Sequence, residues 1–168
     1  NTPDILSEFL QVANRAGFIQ RLLLAATLSS NYGIYGPAFE LMENKPTEQG
    51  REEYLNAEKY EIKQWNISAK HSLKKVISRI NKIRRDNKAL QNTHSLRFHE
   101  INNEALICYS KHTDDLSNII LVVVNLDPHH THSGWVNLPL QPFNIDQHTT
   151  YQVHDLLSDA YYLWHGEH

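Results

Sequence analysis

The stretch "DPHHTHSGW" sets His129, His130 and His132 close together, with Asp127 just ahead of them. Imidazoles at short spacing could hold zinc, and the chain is rich in them, with 11 histidines. Zinc sites usually combine such a run with a Cys or an acidic ligand from elsewhere in the chain. Asp127 is only a sequence neighbour, which is poor geometry for sharing one ion, so the run reads as a turn and no metal site is expected. Cys108 lies in a strand-like segment and reads as a small buried hydrophobe, not a nucleophile. As the only cysteine it can form no internal disulfide, which fits a reducing cytoplasm. Asp4 precedes Ile5, Phe9 and Val12, which share one face of a helical pattern, so the residues alone make it a helix N-cap.

These residues must be held by elements of two different characters. Residues 4–29 read as helical, broken at Gly17 between an amphipathic stretch and the apolar "FIQRLLLAATLSS". "NYGIYGPAFEL" is strand-like but interrupted by Gly33, Gly36 and Pro37, the mark of a bend or a close backbone approach. Residues 43–66 form a long, charged connection with little periodicity. In "SAKHSLKKVISRINKIRRDNKAL" (68–90), Leu73, Val76, Ile77, Ile80 and Ile83 fall at helical spacing behind Ser68 as N-cap, and Lys and Arg occupy the other faces. After Thr93 the pattern changes to short strands: "EALICYSKH", "NIILVVVNLD", "SGWVNLP" and "TYQVHDLL", separated by turn residues. "NIILVVVNL" is apolar on both faces and is expected at the centre of its sheet.

Composition excludes some partners. Hydrophobic residues make up 40% and charged residues 21%, as in an ordinary globular protein. The net charge of −3 argues against nucleic acid, so the basic face of 68–90 reads as solvated. "LLLAAT" is too short for a membrane span and sits on a helix with Arg15 and Arg21. Neither nucleic acid nor membrane is an expected partner.

"NTPDI", "TLSSNYGIYGPAFEL", "EEYLNAEKYEIKQW", "LRFHEINNEALICYSKH", "VVVNLDPHHTHSGWVNL" and "YQVHDLLSDAYYLW" together resemble the bacterial alpha-1,4-glucan:maltose-1-phosphate maltosyltransferases of the alpha-amylase superfamily. The likeness runs through nearly the whole chain in the right order. It implies that residues 1–93 are an α/β barrel remnant, the last units of a TIM barrel, with "YGIYGPAFE" as strand eight and 68–90 as the final barrel helix. It implies that residues 94–168 are an all-β C-terminal sandwich, incomplete at its end.

The resemblance also implies roles. Retaining glycosyl transfer uses two carboxyl groups roughly 5–5.5 Å apart. In the superfamily these stand on barrel strands four and five, which would precede Asn1, so this chain alone is expected to be inactive. Asp4 matches the third essential aspartate, the transition-state stabiliser. Lys59 and Tyr60 in "EKYE" match a lysine and a tyrosine of the donor maltosyl pocket, with Tyr54 a rival for the tyrosine and Glu40 a further possible site residue. The parent so implied is cytoplasmic and homodimeric, takes maltose 1-phosphate and alpha-glucan, and needs no metal or organic cofactor. Two other readings stand beside it: a non-catalytic glucan-binding or structural sandwich module, and a fragment of an alpha-amylase-type hydrolase. "NTPDI" and "EKYE" favour the transferase, because typical amylases carry a His-Asp pair at the former. Missing neighbours should leave Leu22, Leu23 and Leu24 exposed and make Tyr161–Trp164 an open edge.

Overall fold

The structure, a computed structural model, describes residues 1–166. Helix α1 (Glu8–Val12) is followed by α2 (Arg15–Leu28), and the break between them falls at Ala13–Asn14 rather than at Gly17. Asn14 explains the difference, because its side chain accepts the Gly17 N–H at 2.9 Å and starts a new helix. Gly17 lies inside α2, where a Cβ would come within 2.9 Å of the Ala13 Cβ. Asp4 is not an N-cap. Thr2 Oγ1 instead accepts the N–H groups of Asp4 and Ile5, and Ser7 stands at the start of α1 without a side-chain cap bond.

"NYGIYGPAFEL" forms no strand. Its second half is a short helix, α3 (Gly36–Glu40). Pro37 in the first helical turn supplies a φ already suited to helix, and Gly36 takes a positive φ of 25° to enter it. Helix α4 (Lys74–Asp86) begins later than the periodicity suggests, with Leu73 rather than Ser68 at its cap position. Glu40 fixes that start: its backbone oxygen accepts the Leu73 N–H at 2.8 Å, and its carboxylate accepts the Ser72 hydroxyl at 2.7 Å. The apolar face of α4 packs on α2, and Leu6, Phe18, Leu22, Phe39, Tyr54, Leu73 and Ile80 form one core. Leu22 is only 2% exposed and Leu23 and Leu24 are half-buried, contrary to the expected exposure. Helix α4 covers the face that would otherwise be bare.

Strands β1 (Arg97–His99), β2 (Leu106–His112) and β3 (Ile119–Asn125) form an antiparallel sheet in that order. The register sets Tyr109 opposite Phe98 on one side and Val122 on the other. The central strand is therefore β2, and β3 is an edge. The all-apolar character of β3 has another cause: one side touches α2, and another lines a cleft of about 780 Å³ with Ile83, Leu156 and Trp164. "SGWVNLP" contributes only the bridge between Ile101 and Val136. A separate hairpin, β4 (Thr150–His154) and β5 (Tyr161–His165), completes a small α+β architecture with two antiparallel sheets and no closed barrel among the described residues.

The helical half is tied to the sheet at the C-terminus of α2. The buried Lys111 of β2 donates from Nζ to the Thr27 carbonyl at 3.2 Å, and the Thr27 hydroxyl meets the Tyr109 hydroxyl at 2.5 Å. Burial, with the nearby Arg84 guanidinium, lowers the Lys111 pKa from its ordinary value. Arg84 of α4 reaches the carbonyls of Ala26, Ser29 and Ser30.

Every residue of β5 is exposed, Leu163 to 74%, and among the described residues β5 pairs only with β4. A two-stranded hairpin with an apolar outer row is a template for further pairing. The chain is expected to associate with rising concentration and to bind an apolar dye, and Leu163→Lys is expected to reduce both without lowering Tm. A wild-type chain that stays monodisperse at high concentration and binds no dye contradicts this.

Candidate functional site

The turn at Thr2–Ile5 and the loop around residues 51–61 are drawn together by backbone and side chain alike. Leu6 N–H donates to the Glu52 carbonyl at 2.6 Å, and the Asn1 amide donates to the Tyr54 hydroxyl at 2.6 Å. The loop is folded rather than loose, because Tyr54 and Ala57 enter the helical core and Pro46 bridges to Tyr54. Its charged tip is thereby delivered to the chain start.

There the Lys59 ammonium stands between two carboxylates, 3.1 Å from Asp4 Oδ1 and 3.0 Å from Glu53 Oε1, and 4.9 Å above the Tyr60 ring. Glu53 first, then Asp4, hold the Lys59 pKa above its ordinary value, so the ammonium is a fixed cation. Beside it Glu58 accepts from Trp65 Nε1 at 2.7 Å and from the Tyr35 hydroxyl at 2.8 Å. Those two donors lower the Glu58 pKa. Burial, together with Glu58, pushes the Tyr35 phenol up to about 12. Tyr35 in turn packs edge-on against Tyr54 at 5.7 Å.

Asp4, Lys59 and Tyr60 are thus brought to one exposed place from opposite ends of the helical half. The two tyrosines part company: Tyr60 is 73% exposed, whereas Tyr54 is 3% exposed, its ring in the core and its hydroxyl on Asn1. Glu40 is not brought to the cluster, being used at the start of α4. The residues that sequence reasoning missed are Glu53, Glu58, Tyr35 and Trp65. A string of carboxylates around "EKYE" was the signal for Glu53 and Glu58, whereas nothing local marked Tyr35 or Trp65. Chemically the cluster offers carboxylate acceptors, an ammonium whose donors two of them now share, and an exposed aromatic ring, a set suited to a polyhydroxylated ligand.

Asp127 departs from the expected turn geometry. Its Oδ2 lies 2.8 Å from His130 Nδ1 and 2.9 Å from His132 Nε2, so adjacency in sequence does not keep the three side chains apart. His132 first, then the His129 N–H and His130, hold its carboxyl well below the usual range.

Residues 98–168, beginning within β1, match the family described as "GLGE, C-terminal". Over 99% of its length the chain is 47% identical to the alpha-1,4-glucan:maltose-1-phosphate maltosyltransferase of Methylacidiphilum infernorum, covering 25% of that protein. The same enzyme of Chlorobaculum tepidum is also 47% identical over 99% of the chain, which covers 26% of it. That of Picrophilus torridus is 44% identical over the whole chain, again covering 26%. The chain is similar to the C-terminal quarter of these maltosyltransferases. The similarity is not confined to the sheet. It runs over the helical half as well, and the chain spans about a quarter of the length of these relatives. No helix among the described residues is long and apolar enough to cross a membrane.

Proposed function

We propose that this chain is the C-terminal portion of a retaining transferase that moves maltosyl units from maltose 1-phosphate to the end of an alpha-1,4-glucan. The observation that carries the reading is the ion pair between Asp4 and Lys59, which unites two segments singled out by their likeness to the maltosyltransferases. In this reading residues 1–93 are the last part of a catalytic barrel and residues 94–168 its C-terminal β-sandwich. The nucleophile and the acid/base stand on earlier barrel strands. The intact protein works as a cytoplasmic homodimer.

Each residue then has a physical task. The Asp4 carboxylate accepts hydrogen bonds from donor sugar hydroxyls, and these strengthen as the ring distorts and positive charge grows at the anomeric carbon. Lys59 donates to neighbouring hydroxyls and Tyr60 lays its ring against the apolar face of the sugar. Tyr54 takes a positioning role, since its hydroxyl meets Asn1 and its ring supports Tyr35. Tyr35 and Trp65 hold Glu58, and Glu53 shares the Lys59 ammonium, so the loop keeps its shape when a ligand displaces the Asp4–Lys59 contact.

The test is phosphate release from maltose 1-phosphate with a maltooligosaccharide acceptor. The intact protein is expected to release phosphate and to lengthen the acceptor by two glucose units. The 168-residue chain alone is expected to match a no-protein control. An inactive intact protein, or an active isolated chain, overturns the reading.

A further inference from the structure

We propose that Asp127, His130 and His132 form a three-ligand site for a divalent transition metal ion of the zinc type. The inference rests on the turn after β3 and is independent of the glycosyl-transfer reading. The donor atoms of the three side chains all lie within 4.8 Å of one another, and two of the three separations are hydrogen-bond distances to a single carboxylate oxygen. Zinc bonds of about 2.0–2.2 Å place neighbouring ligand atoms about 3.3 Å apart. The ion therefore takes the place of the two N–H protons now pointed at Oδ2, each of which moves to the other nitrogen of its ring. The two carboxylate–imidazole separations open by about 0.5 Å, and the two imidazoles, within 4.8 Å of each other, turn toward the ion. His130 is exposed at the surface and has room for that movement, while Asp127 and His132 are half-buried and better fixed.

The supporting shell is in place. Asp127 Oδ1 accepts the N–H groups of His129 at 2.8 Å and His130 at 3.3 Å, which orients the carboxylate and leaves Oδ2 for the ion. Asn125 closes the turn from both sides, accepting the Asp127 N–H at 2.9 Å and donating to the His130 carbonyl at 2.7 Å. The turn is also docked on α2: Asn14 donates to the Pro128 carbonyl and Gln20 to the Asn125 carbonyl, each at 2.9 Å. A bound ion would stiffen the turn through which the end of β3 docks on the N-terminal half of α2, with a fourth position open to water.

The experiment uses the intact protein carrying this chain, without a histidine tag and stripped of metal. It is titrated with Zn²⁺ by calorimetry and with Co²⁺ by visible absorption. One equivalent should bind with the spectrum of a four-coordinate site, and Zn²⁺ should raise Tm. His130→Ala and His132→Ala should each weaken binding at least about tenfold and remove the Tm rise. His94→Ala, an exposed histidine away from the turn, should change neither. Because His130 is exposed, its variant tests the site even if the His132 variant fails to fold. Absence of saturable binding, or affinity unchanged in His130→Ala, overturns the proposal.

Discussion

Asp4→Asn in the intact protein is expected to lower kcat by about 10²–10³-fold while leaving the fold in place. The change keeps the volume and the hydrogen-bonding oxygen but removes the charge that strengthens contacts as the transition state develops. Folding should survive, because Asp4 is exposed and caps no helix, and Thr2 organises its turn. Lys59 also keeps its place in the variant through Glu53 at 3.0 Å. That residue provides the control. Glu53→Gln removes the other partner of the same ammonium and should leave kcat within a few-fold of wild type. Lys59→Met should act mainly on KM, since its hydroxyl contacts would exist before as well as during reaction. Steady-state rates alongside thermal melts decide the matter, and an Asp4→Asn enzyme with kcat near wild type removes Asp4 from its role.

The elements most legible in the sequence were those whose pattern is set by their own side chains. Helix α4 follows from Val76, Ile77, Ile80 and Ile83, and β2 from its β-branched and aromatic run. What was not legible depended on neighbours. Whether "YGIYGPAFE" is extended is decided by a partner strand, and with none beside it among the described residues Pro37 starts a helix. Strand β3 looked central because apolar residues on two faces do not reveal whether a strand or a helix covers them. Asp4 could be singled out only by resemblance, because a lone Asp before an apolar pattern looks like a cap. Lys59 and Tyr60 were named in the same way. The ion pair joining Lys59 to Asp4 spans 55 residues, and no local pattern encodes that distance. The Asp127 cluster failed for the opposite reason: a turn folded back by Asn125 joins near neighbours that a linear reading keeps apart.

Arg84→Met is expected to destabilise the fold by about 2–4 kcal/mol, a fall in Tm on the order of 10 °C. The reason lies in how α2 ends. Its last turn carries no basic residue, and Ser29 leaves the helix in extended conformation without a glycine to close it. The carbonyls of Ala26, Ser29 and Ser30 are satisfied instead by the Arg84 guanidinium from α4, at the negative end of the helix dipole. Methionine keeps the apolar stem but leaves those acceptors without that donor. The exposed Lys82–Asp86 pair on the same helix is the contrast: Lys82→Met should have little effect, because solvent already screens it. Lys111 gives a different pH signature. Its folded pKa lies below its ordinary value, so between the two the unfolded chain binds more protons and stability rises with pH. At neutral pH the ammonium bears its full burial cost, set against its bond to the Thr27 carbonyl. Lys111→Met should therefore be far milder than Arg84→Met and should flatten the alkaline rise. Denaturant melts of the three variants at neutral and alkaline pH separate these cases, and an Arg84→Met protein as stable as wild type shows that α2 needs no imported cap.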